Sequence, residues 1–462
     1  MVFRPIVVMT FEREFISPST NLRQLMLAAL ILVFVFLGSL PARAVNLLRD
    51  PDIEYALQRL SAPILAAAGL GSSVRILVVN DSKLNAFVVD HKHIFIHSGL
   101  LLRTETPHML QAVIAHEAAH IANGHIARRQ QNFGNARTVA GLGIALAALT
   151  AAASGNSELG AGLALGATSS AQRVFLSHTR AEEASADKSG IGYMVRSGAD
   201  TQGAVDMFEM FRGQEMLNTS RQDPYVRSHP LTRDRLRAAK AAAKAHAGKA
   251  KPNPDATYWY ERAKGKLSAF MRSPKWTKRT LKTSPSKDIR LMREAVMFHR
   301  QSNSKKALAS IDQAIALRPR DPFLYELKGQ ILMESRNSKP AVAAYKRAVD
   351  LAPHNALCLG SYGRALLATG QTKKALSVLE KARGQDFRDS RILRDLGSAY
   401  AKLGNNGMAA VATAERYALQ GRMKDAGIQA KRAVGLLPRG SAGWRRADDI
   451  ILAAKRAAKK KK

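Results

Sequence analysis

Cysteine and acidic residues are both scarce in this chain of 462 residues. Cys358 is the only cysteine, so an intrachain disulfide is excluded, although one thiol neither requires nor excludes an oxidising compartment. The 36 Asp and Glu residues face 71 Lys and Arg residues, which gives a formal net charge of +35. Such a balance favours anionic partners such as acidic proteins, anionic lipid or nucleic acid. The basic residues are spread along the chain without the aromatic-studded motif of a nucleic-acid-binding module, so we interpret them first as surface chemistry.

Long apolar runs are also few, and one of them lies near the N-terminus. Leu25 to Leu40 is an uncharged run of 16 residues, shorter than the roughly 20 that a membrane-spanning helix needs. Three arginines precede it, and Ala42-Arg43-Ala44 offers a small-residue cleavage site before Val45. Residues 1–44 are therefore predicted to be a signal peptide, with an uncleaved anchor as the alternative. Export argues against nucleic acid as a partner.

One helix is predicted from Pro107 to Arg129, and it carries the residues with the clearest chemistry. His116 and His120 are four apart, so their imidazoles lie on one face and can hold one tetrahedral zinc ion. Glu117 projects about 100° round the helix from His116, beside the metal, where it can take a proton from a bound water. The alternative is a pair of core histidines, but the intervening glutamate favours the metal.

A catalytic zinc site needs a third protein ligand, which the chain offers further on. A helix through residues 179–187 would place Glu183 and Asp187 on one face, four apart. One carboxylate could then bind zinc while Asp187 holds a ligand histidine from behind. Spacing alone leaves Glu182 and Glu183 both open, and an acidic solvated helix face is the alternative.

The segments around this pair of motifs predict a small sheet and an unusual insertion. Residues 51–68 read as a helix that Pro63 should kink or restart as a second helix, and three strands are predicted at 74–79, 86–89 and 93–96. Residues 138–172 carry one charge, Glu158, and are rich in Ala and Gly. We interpret them as a helical hairpin close to the site, with peripheral membrane contact left open.

The C-terminal part repeats every 34 residues. The interval separates small residues on paired helices: Ala307, Ala341, Ala375 and Ala409, and likewise Gly329, Gly363 and Gly397. Such a period predicts tetratricopeptide repeats, in which helix pairs stack into a solenoid with a concave binding surface. The predicted division is a domain at 45–250, a basic linker or docking segment at 251–287, the repeats at 288–455 and a basic tail at 456–462.

The two metal motifs together resemble the M48 family of zinc metallopeptidases. In that family the ligand Glu lies three after an Arg and four before an Asp, which selects Glu183 with Arg180 and Asp187 as its flanks. Asn85-Ala86-Phe87 matches the segment that precedes the metal-binding helix in that family. Ser228-His229-Pro230 matches its His-Pro segment, where the resemblance implies that His229 lies near the zinc and gates the site or steadies the transition state.

The resemblance predicts the fold class and the activity. The fold is expected to be mainly α: a gluzincin-type α+β metalloprotease domain with a small sheet, followed by an all-α repeat solenoid. One Zn²⁺ per chain is expected, held by His116, His120 and Glu183, with Glu117 and His229 as catalytic residues and Asp187 and Arg180 behind the ligands. His125 is not expected to be a ligand, because a continuous helix would turn it about 140° away.

The order of the parts resembles periplasmic proteases that attend outer-membrane β-barrel assembly. This implies a periplasmic protein, protein substrates that are unfolded or misassembled, and docking of the repeats on the outer-membrane assembly machinery. The alternative is a chaperone or assembly scaffold in which the repeats supply the function and the zinc site is latent. No nucleic-acid partner is expected.

Overall fold

The computed structural model describes residues 46–128, 180–218 and 221–459. The predicted signal peptide at 1–44 and the uncharged segment at 138–172 lie outside these residues, so both stay predictions. Within the described ranges, no helix combines the length and the apolar composition needed to cross a membrane.

The first helix, α1 (Pro51–Ala67), forms one wall of the N-terminal core. The side chain of Asp50 caps it by accepting from the backbone N–H groups of Asp52 and Ile53. Its buried positions include Leu57, Leu60 and Ile64, spaced to line one face. The helix continues through Pro63 as one element, which decides against a second short helix.

Four strands form a small mixed sheet in the order β1-β2-β4-β3. Their bounds are β1 Leu47–Leu48, β2 Arg75–Val79, β3 Ala86–Val88 and β4 His93–His97. The pairs β1–β2 and β3–β4 are antiparallel, whereas β2 and β4 are parallel. The three predicted strands are all present, and the two-residue β1 was not anticipated. Strand β3 lies at one edge of the sheet.

The helix that carries His116 is shorter than predicted. After α2 (Ser98–Arg103), α3 spans Pro107–Ala122, and Thr106 caps it by accepting from the N–H of Met109. The prediction that it continues to Arg129 is wrong. Gly124 adopts a φ of +69°, which ends the helix, and residues 125–128 form a separate turn of helix.

Four longer helices follow in the described residues of the N-terminal half. They are α4, described over residues 180–197, α5 (Gln202–Met210), α6 (Pro224–Ser228) and α7 (Arg233–Ala245). Their apolar faces join α1, α3 and the sheet in one hydrophobic core. This core surrounds α3 and buries ten or more of its side chains, including both histidines of the predicted zinc motif.

The segment predicted as a basic linker or docking segment contains two helices, α8 (Pro254–Met271) and α9 (Pro274–Thr280). Helix α8 packs against α1 on one side and the first repeat helix on the other. The hydroxyl of Tyr260 donates to the backbone oxygen of Thr104 at 2.6 Å, which ties α8 to the N-terminal half.

The C-terminal half is a row of antiparallel helix pairs, as the 34-residue period predicts. The helices are α10 Lys287–Arg300, α11 Ser304–Leu317, α12 Pro322–Glu334, α13 Ser338–Leu351, α14 Ala356–Ala368, α15 Thr372–Gln385, α16 Ser390–Lys402, α17 Asn406–Leu419, α18 Met423–Leu436 and α19 Ala442–Lys459. The repeated glycines allow close packing within a pair. A Cβ on Gly329 would lie 2.7 Å from the ring of Tyr345, and one on Gly363 would lie 2.5 Å from Leu379.

Buried ion pairs join the two halves at two places. Arg262 of α8 lies between Asp52 of the first half and Asp321 of the repeats. Further along the repeats, Arg49 pairs with Asp386 at 2.7 Å. Because most of these side chains are buried, the pairs fix the position of the repeats against the N-terminal half.

Candidate metal centre

Four metal-binding side chains converge in the N-terminal core. His116, His120, Glu183 and His229 each offer a ligand atom, and these atoms all lie within 4.8 Å of one another. Each of the four residues is 3 % exposed or less. Polar side chains buried next to one another, away from bulk solvent, are typical of a binding site rather than of a solvated acidic surface.

The two histidines come from α3 and the carboxylate from α4. The Nε2 atoms of His116 and His120 are 3.1 Å apart, and the Glu183 oxygens lie 3.2 and 3.3 Å from them. Ligand atoms bound to one tetrahedral zinc at about 2.0–2.1 Å are separated by roughly 3.3 Å. The three side chains thus have the spacing that a zinc ion requires.

The structure distinguishes the two neighbouring glutamates, either of which the sequence spacing allowed as the third ligand. Glu183 faces the histidines, whereas Glu182 points along the other side of α4, where its carboxylate lies 3.8 Å from Arg128. Arg180, the predicted flank, is exposed and lies outside the cluster. It lines a cavity of about 740 Å³ that also reaches Glu183.

Asp187 lies one turn after Glu183, behind His116. Its Oδ1 is 3.0 Å from Nδ1 of His116, an ion-pair distance without the alignment of a good hydrogen bond, and it favours the ring orientation with Nε2 toward the cluster. Arg235 of α7 grips the same carboxylate, donating from Nε and Nη2 at 2.6 and 2.8 Å. These contacts outweigh burial and lower the pKa of Asp187 to about 2, so it stays ionised.

Glu117 is fully buried beside the cluster. Its Oε1 lies 3.3 Å from Nε2 of His229, without the alignment of a good hydrogen bond, and both of its carboxylate oxygens lack a hydrogen-bond partner among the described residues. A buried carboxylate with open acceptor sites is suited to take a proton from a molecule that enters the site.

His229 lies at the fourth corner of the cluster. Its Nδ1 is 3.2 Å from Nε2 of His116 and 3.0 and 3.1 Å from the two oxygens of Glu183. It directly follows α6, and its ring packs on that of Tyr225 with centroids 4.8 Å apart. The side chain therefore fills the position that a catalytic zinc site would leave open.

The charges of the site match a divalent cation. The carboxyl groups of Glu117, Glu183 and Asp187 share the site with one buried guanidinium, that of Arg235, which leaves two negative charges when all three carboxyl groups are ionised and the imidazoles are neutral. Burial disfavours the Glu183 carboxylate, but the imidazoles of His229, His116 and His120 outweigh this and hold its pKa far below the usual range. Donor types, spacing and charge all fit Zn²⁺.

The two ligand histidines differ in their electrostatics. Burial lowers the pKa of His116, but the carboxylates of Asp187 and Glu183 outweigh it and raise that pKa to about 10. Burial and the neighbouring His116 lower the pKa of His120 well below its ordinary value, despite Glu183. A bound cation would favour the neutral form of both rings, since zinc binds the unprotonated nitrogen.

Sequence reasoning assigned no role in the site to two residues that lie near the cluster. Nδ1 of His125 lies 2.9 Å from Nδ1 of His120, so His125 faces the ligand from behind, although it is not itself in the cluster. A continuous helix would have turned it away, but the break at Gly124 brings it back. The buried hydroxyl of Tyr225 has no hydrogen-bond partner among the described residues. In the sequence, only Gly124 could have indicated the position of His125, because glycine often ends a helix.

Comparisons with known proteins match both halves of the chain. Residues 48–243 match the model of peptidase family M48, and residues 332–403 match a tetratricopeptide-repeat model. A β-barrel assembly-enhancing protease of Yersinia pestis is 28 % identical over 212 residues, which are 46 % of this chain and 42 % of that protein. The Escherichia coli (strain K12) protein of the same name is 27 % identical over 194 residues, 41 % of this chain and 39 % of that protein.

The matched part is about two fifths of the length of these relatives. Among solved structures, MamA of Desulfovibrio magneticus covers 35 % of this chain and 94 % of its own, with 20 % identity and a TM-score of 0.31, too low to carry an argument. The family models and the helical pairs agree with the expected fold class. The chain therefore carries a domain that matches peptidase family M48, followed by tetratricopeptide repeats, and it is homologous to the β-barrel assembly-enhancing proteases over about two fifths of their length.

Proposed function

We propose that the protein is a zinc-dependent endopeptidase of the bacterial periplasm. Its substrates are misfolded or stalled envelope proteins, and its repeats dock a partner. The observation that carries this proposal is the buried cluster of His116, His120 and Glu183, with the unpartnered carboxylate of Glu117 beside it. The family match and the names of the relatives support proteolytic activity.

His116, His120 and Glu183 hold the single zinc ion in this proposal, and Asp187 orients the ring of His116. Bound zinc polarises the scissile carbonyl and lowers the pKa of a water molecule. Glu117 takes the proton of the attacking water and then delivers it to the nitrogen of the leaving amine. Its burial keeps bulk water away from this transfer.

His229 occupies the fourth corner and must withdraw before a substrate carbonyl can enter. The contacts of its Nδ1 with Glu183 hold it there in the conformation described. Its other expected role, stabilising the oxyanion, would require the ring to stay near the reacting carbonyl. We propose the first role, in which His229 keeps the site closed at rest.

The edge strand β3 supports a substrate that binds in extended form. It pairs with β4 on one side, and its other side has no partner strand among the described residues. An unfolded segment could add to this edge by backbone hydrogen bonds. Leu84, two residues before the strand, exchanges hydrogen bonds with the segment that leads to His229. The N–H of Tyr225 donates to its carbonyl, and its own N–H donates to the side chain of Asp223. A substrate on β3 would therefore lie close to His229, the residue proposed to close the site.

The repeats are the proposed docking surface for a partner, namely the outer-membrane assembly machinery or a client. The name of the relatives connects them with β-barrel assembly. For this chain the partner is a proposal, as are export by residues 1–44 and any peripheral membrane contact by residues 138–172.

Digestion of casein tests the proposal. Wild type, Glu117→Gln and wild type with a chelator would be compared, and the zinc content of each would be measured. Only the untreated wild type should cut, and Glu117→Gln should lose about 10²–10⁴-fold in rate while it keeps its zinc, since removal of a general base costs about that much.

The same samples test the scaffold alternative. A wild type that folds, binds no zinc and leaves casein intact would contradict the protease proposal and favour a chaperone or scaffold. In that case Glu117→Gln would also leave partner binding and cellular function unchanged, whereas an enzyme would lose its cellular function.

A further inference from the structure

One guanidinium, that of Arg235, contacts Asp187, Glu183 and the backbone of the segment that carries His229. It forks onto Asp187, donating from Nε to Oδ2 at 2.6 Å and from Nη2 to Oδ1 at 2.8 Å. The same Asp187 oxygen, Oδ1, faces His116. Through this carboxylate Arg235 fixes the ring of one ligand.

The third nitrogen of Arg235 serves the other side of the site. Nη1 donates to the backbone oxygen of Pro230 at 2.7 Å and lies 3.3 Å from Oε2 of Glu183. Pro230 directly follows His229, so the guanidinium also holds the segment that places His229 at the fourth corner. Among the described residues, no other side chain donates hydrogen bonds both to Asp187 and to the backbone after His229.

The side chain is itself held firmly. Arg235 is 7 % exposed, it lies in the first turn of α7, and its backbone N–H donates to the capping hydroxyl of Thr232. Its guanidinium carbon lies 5.3 Å from the ring centroid of Phe208. Burial disfavours its charge, but its hydrogen bonds to Asp187 outweigh this and raise its pKa, so it is a permanent cation.

We propose that Arg235 is a positioning residue that couples the metal ligands to the His229 segment. It holds His116 through Asp187, steadies Glu183 directly, and restrains His229 through the carbonyl of Pro230. This rests on the proposed function, because it assumes that the cluster binds zinc. It goes further by assigning one residue the task of setting ligand geometry and gate position together.

Zinc affinity, measured by competition with a chromogenic chelator, tests the assignment without any proteolysis. Arg235→Gln should weaken zinc binding by about 10–100-fold, the usual effect of losing a partner that orients ligands. Arg235→Lys keeps the charge but cannot donate two parallel hydrogen bonds to Asp187. Its zinc affinity should therefore lie between those of wild type and Arg235→Gln. Arg233→Gln is the matched control, because it removes the same charge from an exposed position in the same turn and should bind as wild type does.

The coupling to His229 is tested by a double variant. If Arg235 acts partly through His229, Arg235→Gln should weaken zinc binding less in a His229→Ala background than in wild type. The visible spectrum of the cobalt-substituted protein should also change on Arg235→Gln, because it reports the number and arrangement of ligands.

Two results would overturn the inference. One is unchanged zinc affinity and an unchanged cobalt spectrum in Arg235→Gln, even if its thermal midpoint falls, since that is the pattern of a purely structural ion pair. The other applies if Arg235→Gln fails to fold: it is a zinc affinity of Arg235→Lys equal to that of wild type. A wild type that binds no zinc would instead contradict the proposed function, so the two failures are distinguishable.

Discussion

At the residue scale, the chemistry of the site depends on a few buried polar atoms that face one another. His116, His120 and Glu183 have the spacing of zinc ligands, and Glu117 has the open acceptor sites of a general base. His229 is different, because it comes from another segment and completes the cluster on the side where a substrate would enter. Its effect on turnover is therefore the most informative single-residue measurement.

We predict that His229→Ala increases proteolysis of casein several-fold and weakens zinc binding only moderately. The substitution vacates the fourth corner while the three proposed ligands remain. Initial rates and zinc affinity of the purified variant check this, with His91→Ala, an exposed histidine, as the control. A fall in rate at unchanged zinc content would instead assign His229 to stabilisation of the transition state.

At the element scale, the site exists because α4 packs tightly against α3. Gly190 is buried one turn after Asp187, and a Cβ there would lie 3.2 Å from the backbone of Ala115 and His116. Asn123, at the end of α3, donates to the hydroxyls of Ser185 and Ser189. These contacts fix the height and rotation of α4, and so place Glu183 and Asp187 opposite the histidines.

We predict that Gly190→Val lowers zinc affinity by at least about tenfold, because the larger side chain must push α4 away from His116. Gly190→Ala should have a smaller effect, since its single Cβ needs a shift of only a few tenths of an ångström. Gly192→Ala is the control, because its Cβ meets only the flexible end of Arg196. Equal zinc affinity in all three variants would contradict this account of the close packing.

At the scale of the whole molecule, the repeats are bound to the N-terminal half through buried charges. Glu326 of α12 is 5 % exposed, accepts a hydrogen bond from Ser361 and faces the interface that contains Lys266 and Asp50. Burial raises the pKa of its carboxyl from 4.5 to about 7, although Lys266 works in the opposite direction. This interface is thus sensitive to pH in the neutral range.

We predict that Glu326→Gln stabilises the protein at pH 8 but not at pH 4.5. A carboxyl whose pKa is raised by folding does not lower the free energy of unfolding while it is protonated in both the folded and the unfolded state. The penalty grows from pH 4.5 and is complete above pH 7, where it amounts to about 3 kcal/mol at most. The glutamine keeps the acceptor for Ser361 and removes the charge.

Thermal midpoints of variant and wild type between pH 4.5 and pH 8 check this prediction. Glu334→Gln, on the same helix, is the control with the opposite sign, because the contact with His299 lowers the pKa of Glu334. A constant difference between Glu326→Gln and wild type at every pH would contradict the proposed penalty.

The sequence by itself determined the periodic and local features. The 34-residue spacing predicts the paired helices, and short apolar runs rich in Val, Ile and Phe predict three of the four described strands, because both patterns are local in the sequence. The two motifs together with the family resemblance also indicated His116, Glu117, His120, Glu183 and His229 as site residues, and that set remains a proposal.

Tertiary structure decided what no local pattern contains. Spacing could not choose Glu183 over Glu182, because that choice depends on which face of α4 meets α3. The break at Gly124 returned His125 to the site and shortened a helix that periodicity had extended. The guanidinium of Arg235 joins α4 to the segment after His229, and the buried charges place the repeats against the N-terminal half. Each of these depends on contacts between residues distant in sequence, which only the packed chain brings together.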